Sequence, residues 1–177
     1  MIFSDGILKS SSTTCGIGAD DRAGCAILWL LKDLGHSLLI TDGEESGGIG
    51  SNWLMNDLKN TDIAEEINTT HQFMIQLDRR NGKDFKCYSV GTDEFRDYIE
   101  HTTGYTEPDQ FSYTDIVTLC REIAGVNLSV GYRNEHSCNE SLSIDEWQNT
   151  LNLCRKWLSE KELPSFPLRK RPKANSL

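Results

Sequence analysis

No stretch of this 177-residue chain approaches the roughly 20 consecutive apolar residues that a membrane-crossing helix needs. The longest apolar run, 25–31, suits the buried face of a helix instead, and the opening Met-Ile-Phe-Ser-Asp lacks the layout of a signal peptide. Positive charge is in deficit. Eighteen Lys and Arg against 27 Asp and Glu leave a net charge of −9, which argues against nucleic acid as the main partner. No CxxC pair occurs among the six cysteines, at 15, 25, 87, 120, 138 and 154. Scattered in this way they read as reduced thiols rather than as a disulfide framework, and the expected compartment is the cytoplasm. Cys138 reads as a small packing residue. No internal repeat is evident.

The chain is long enough for one well-buried core, and 37% hydrophobic residues suit a soluble globular protein. Helical spacing of Ala23, Ala26, Ile27, Leu30, Leu31 and Leu34, stopped by Gly35, predicts a helix over 21–34. Further helices are expected over 50–58, 93–100, 113–123 and 143–158, the last opened by the capping box Ser143-Ile144-Asp145-Glu146. Its inner stripe reads as Trp147, Leu151, Cys154 and Leu158. Strands are expected over 37–40, 72–77, 85–90 and 126–132, with Asn81-Gly82 favouring an antiparallel pair between the second and third. Helices alternating with strands predict an α/β fold, a three-layer αβα sandwich on a mostly parallel mixed sheet. The expected domain is 1–163. From Pro164, three prolines with Arg169, Lys170, Arg171 and Lys173 make 164–177 a basic, disordered tail.

Carboxylates gather at places where strands end. Asp20 lies in Gly18-Ala19-Asp20-Asp21-Arg22-Ala23-Gly24, at the start of the first helix. Glu44 and Glu45 lie in the glycine-rich loop after the strand 37–40, and Asp78 ends the strand 72–77. In an open α/β sheet such loops meet at one edge, where acids of like charge hold protons unless a cation neutralises them. The strand 126–132 runs into His136, an imidazole of the kind that zinc favours. Asp20, Glu45, Asp78 and His136 are the expected metal ligands. Glu44, adjacent to one of them, is the expected base. Blander readings stand beside these: Asp20 and Asp21 as acids at a helix start, Glu44 and Glu45 as a solvated turn, His136 as structural, and Arg79 and Arg80 as solvent-facing or paired with nearby acids.

In the order GADDRAG, TDGEESGGIG, a strand-end Asp, then GYRNEHS, the chain resembles the co-catalytic zinc exopeptidases. These are the tripeptidase, glutamate carboxypeptidase and aminoacylase group with their zinc aminopeptidase relatives, and the resemblance runs from about Gly6 to Leu158. It implies that Asp20 bridges two metals, that Glu45 and His136 complete one shell, that Asp78 binds the other metal and that Glu44 is the general base. One or two zinc ions are implied, with Mn or Co as alternatives. Phe111-Ser112-Tyr113-Thr114-Asp115 resembles a helix opening, in which Asp115 is expected to cap. The family also carries an earlier His-x-Asp motif with its strands, and in many members a lid domain between the last two ligands. Neither is found here, so the expected scaffold is an N-terminally shortened one.

The resemblance implies a zinc-dependent metallohydrolase of the exopeptidase type, acting on a peptide or N-acyl amino acid amide bond through a metal-activated water. The alternatives are a non-catalytic metal-binding or interaction protein on the same scaffold, or one part of an enzyme completed by a missing N-terminal segment. A shortened sheet leaves an exposed edge, through which the chain is expected to form homo-oligomers.

Overall fold

In the computed structural model, which describes residues 1–108 and 113–168, the chain is a mixed α/β structure with two sheets and six α-helices. Strands β1 (Ile2–Ser4) and β2 (Ile7–Lys9) form an opening hairpin, followed by α1 (Ala19–Leu31), α2 (Ile49–Asn56) and α3 (Thr61–Thr70). Next come β3 (Phe73–Arg79), β4 (Phe85–Lys86), α4 (Asp93–Thr103) and α5 (Asp115–Leu119). The chain closes with β5 (Ala124–Ser129), β6 (Tyr132–Arg133), β7 (Ser141–Ser143) and α6 (Ile144–Leu158).

The first sheet is antiparallel, in the order β1-β2-β7-β6. The second has the order β3-β5-β4, with β3 parallel and β4 antiparallel to β5. Strand β5 is buried along its whole length, as a central strand between apolar faces should be. One apolar cluster joins α1, α4 and α6 to Leu77, Val126 and Leu128. On the other side Met74 meets α2, α3 and α5. Phe73 sits among aromatics, stacked on Trp157 at 5.3 Å between ring centres and tilted against Phe95 and Phe166.

Helix α1 runs so close to β3 that a Cβ on Gly24 would collide with the Leu77 carbonyl. The Trp147 indole donates to the Ala23 carbonyl at 2.9 Å and fixes α6 against α1. Cys87, Cys120 and Cys154 are buried, and burial pushes each thiol up to about 12. Cys15, Cys25 and Cys138 are exposed, so Cys138 is not the packing residue expected of it.

Several elements depart from expectation. The stretch 37–40 forms no ladder, and Leu38, Leu39 and Ile40 are exposed. A strand exists only with a partner, and none of the described residues provides one. Asn81-Gly82 does not close a β3–β4 hairpin: the Asn81 backbone pairs with Tyr132 and Gly131 instead, and β4 pairs with β5. Helix α3 has no counterpart among the expected elements, and α5 is shorter than expected. Ser143 caps α6 by accepting from the Glu146 N–H, as expected, but Trp157 is buried along with Leu151 and Cys154. The stretch 164–168 carries a buried residue: Phe166 lies in the main core and exchanges backbone hydrogen bonds with Gln72 and Ala124. The rest of the expected basic tail, 169–177, lies outside the described residues, as do Phe111 and Ser112 of the helix-opening segment. Among the described residues no helix is long and apolar enough to cross a membrane.

Candidate metal centre

The four expected ligands and the expected base lie around one edge of the second sheet. The His136 Nε2 lies 3.1 Å from Asp20 Oδ2 and 2.6 Å from Glu45 Oε1. Asp20, Glu45 and His136 each offer a ligand atom within 4.8 Å of the others. A second group with the same closeness is Asp20, Asp21 and Asp78. Asp20 is common to both. Its place between two groups of donors is what a carboxylate shared by two cations requires, and the donor set of one nitrogen and two oxygens in the first group fits zinc.

Each donor is held by its own element. Gly18 has a positive φ and opens α1. The backbone N–H groups of Gly18 and Asp20 both donate to the buried Glu140 carboxylate, at 2.5 Å and 3.0 Å. Gly43, Gly47 and Gly48 all have positive φ, folding the loop into a short turn that carries Glu44 and Glu45. Asp115 anchors this loop. Its buried carboxylate accepts from Thr41 at 2.6 Å and from Ser51 at 2.5 Å. The expected capping role is therefore corrected: Asp115 ties a distant loop down rather than closing its own helix.

Asp78 is clamped from β5. Its N–H donates to Asn127 Oδ1 at 3.0 Å, and its carbonyl accepts from Asn127 Nδ2 at 2.8 Å. Its carboxylate accepts from Gln76 at 3.0 Å and from the Tyr132 hydroxyl at 3.3 Å. His136 is on a turn in which Asn134 also has a left-handed φ, a conformation uncommon for non-glycine residues and concentrated at functional sites. Arg79 pairs with Asp84 and Arg80 with Glu135, so both arginines are paired with acids.

The electrostatics are those of crowded negative charge. Burial, then the neighbouring Asp21, raises Asp20 to about 6. Burial, with Asp20, Asp21 and Glu44 beyond it, raises Asp78 to about 8. Burial also raises Glu44, with Thr114 pulling the other way and the neighbouring Glu45 and Asp115 adding to the rise. Desolvation works against a charged His136, but Glu45 and Asp20 outweigh it and hold the imidazole above its ordinary value. A divalent cation would relieve this mutual repulsion.

Glu140, Asn127 and Gln76 are not among the expected site residues, and Asp21 is expected only as an acid at a helix start. Asp21 had a signal, since it is adjacent to Asp20 in the same motif. Glu140 and Asn127 act on backbone far away in sequence, and no local pattern marks them. The chain matches no family model, no curated protein and no solved structure.

Proposed function

We propose that this chain is a zinc-dependent metallohydrolase of the exopeptidase type, cleaving a peptide or N-acyl amino acid amide bond on a three-layer zinc-exopeptidase-like scaffold. The observation that carries this reading is the sharing of Asp20 between the Glu45–His136 group and the Asp21–Asp78 group. Asp20, Glu45 and His136 would hold one ion, and Asp20 with Asp78 a second. Asp21 is the added candidate there. The second group is wholly carboxylate and suits a harder ion such as Mn at least as well as zinc.

When bound, the metal supplies Lewis acidity and lowers the pKa of water. The chain's own contribution is proton handling and positioning. Glu44 lies beside Glu45 and is half-buried. It accepts a proton from water as the oxygen–carbon bond forms, and returns it to the amine nitrogen as the carbon–nitrogen bond breaks. Glu140 and Asp115 hold the two loops that set this geometry. The cysteine pattern and the acidic balance support a cytoplasmic protein without a nucleic-acid partner.

The test is metal analysis after chelation and reloading with zinc, manganese or cobalt, followed by assay against dipeptides, tripeptides and N-acyl amino acids. Metal-dependent release of a free amino acid is expected. Retention of metal without hydrolysis would favour a non-catalytic metal-binding protein, and loss of both would overturn the reading.

A further inference from the structure

Two apolar stretches behave like interior strands that have lost a common neighbour. The β3 run Phe73-Met74-Ile75-Gln76-Leu77 is apolar on both faces but for Gln76, as in a strand covered on both sides. Yet among the described residues it pairs only with β5, and most of it is half-exposed. The stretch 37–41 has the same apolar character and forms no ladder at all. Both line a single cavity of about 710 Å³, which occupies the space between them.

The two stretches run in the same direction. At one end the His71 imidazole reaches across to the Ser37 hydroxyl at 2.9 Å. At the other, Thr41 leads into Glu44 and Glu45 while β3 ends at Asp78, and Asp21, Glu44 and Asp78 all line the cavity there. Leu28 and Leu158 line the cavity from α1 and α6, and Ile67 and Leu119 from α3 and α5. Anything filling it therefore meets apolar surface on both faces. The backbone along the free edge of β3 needs hydrogen-bond partners, which an aliphatic ligand does not provide and an extended peptide does.

We infer that this cavity is the docking groove for one extended strand of another polypeptide, apolar on both faces and ending in a basic side chain beside Asp21, Glu44 and Asp78. The strand lies parallel to β3 and to 37–41, which brings its C-terminal end to the acids. Seven consecutive residues, 72–78, line the cavity, and at about 3.3 Å each they give roughly 23 Å, the span of an ordinary strand. Burying the apolar faces, completing two ladders and matching the negative end by charge all favour the same occupant. The inference needs only the cavity and the acids, and does not rest on the hydrolase reading.

The experiment uses the full chain, once chelator-treated and once zinc-loaded. The probe is a fluorescein-labelled peptide with a Gly-Ser leader, then Val-Ile-Val-Ile-Val and a terminal Lys, followed by anisotropy and by amide hydrogen exchange. Saturable binding is expected, with slowed exchange at 73–77 and 38–40 in the chelator-treated protein. Proline at the centre of the peptide should abolish binding, and Glu in place of Lys should weaken it by about tenfold. Absence of binding overturns the inference. So does binding that leaves these amides unprotected, or a proline peptide that binds equally, since either describes an apolar-ligand pocket. Protection that rises with protein concentration and without peptide assigns the groove to a second copy of the chain, and overturns it too.

Discussion

Glu140 holds the backbone that carries Asp20: one carboxylate accepts the N–H of Gly18 at 2.5 Å and the N–H of Asp20 at 3.0 Å. It is buried, so removing it leaves both N–H groups without their built partner. Glu140→Ala is expected to lower stability by about 1–3 kcal/mol, the cost of leaving buried donors unmade. It should also weaken zinc binding by about 10–100-fold, the range found when a partner that orients a ligand is lost. Urea unfolding and competition titration against a zinc dye measure the two effects separately. Glu140→Gln, which keeps one acceptor oxygen, should fall between wild type and Ala.

The adjacent glutamates should separate cleanly. Glu44→Gln is expected to leave metal content unchanged and to cut turnover by about 10²–10⁴-fold, since the amide cannot take a proton. Glu45→Gln should reduce both, because it removes an anionic donor that lies 2.6 Å from His136. Metal analysis beside steady-state rates reads both variants. The opposite pattern would mean that the two roles are exchanged.

The first helix is packed too closely for any side chain at residue 24. Gly24→Ala is expected to destabilise the protein by about 1–3 kcal/mol even though alanine is the better helix former, because the new Cβ collides with the Leu77 carbonyl. A fall in the thermal midpoint checks it. The strain falls on β3 just before Asp78, so metal affinity should fall with it.

Thiol labelling should divide into classes. Cys15, Cys25 and Cys138 are accessible in the folded chain, whereas Cys87, Cys120 and Cys154 are buried with thiols raised to about 12. Partial burial, then Asp21 and Asp78, also raises Cys25. Mass spectrometry of the native protein at neutral pH should show Cys15 and Cys138 modified before Cys25, and the buried three only as denaturant is added.

What was legible in the sequence was the part written at short range. The spacing of Ala23, Ile27 and Leu31 located α1, and Ser143 with Glu146 located the start of α6 to the residue. All four expected ligands lie around one edge of the second sheet because each sits at an element boundary that composition marks. Strand partners were not legible. The run 37–40 has every local attribute of a strand, but the residues that would pair with it are not dictated by its own sequence. The Asn81-Gly82 signal was likewise real as a turn, since Asn81 has a left-handed φ, and misleading about which strands it joins. Phe166 was hidden by its surroundings: prolines and basic residues mask one aromatic that reaches the core.

The contact between Glu140 and the Gly18–Asp20 backbone spans more than a hundred residues of chain, as does the Trp147 indole bond to Ala23. An ion therefore cannot gather Asp20, Glu45 and His136 while the chain is still being synthesised, since His136 and Glu140, which braces the Asp20 backbone, emerge late. Zinc-finger domains are nucleated by their metal; on the metal-site proposal the order here would be reversed, the polypeptide closing its longest loops before a cation could find its place. Folding rate should accordingly be set by chain topology and be insensitive to zinc, with the ion acting only on how slowly the finished protein comes apart.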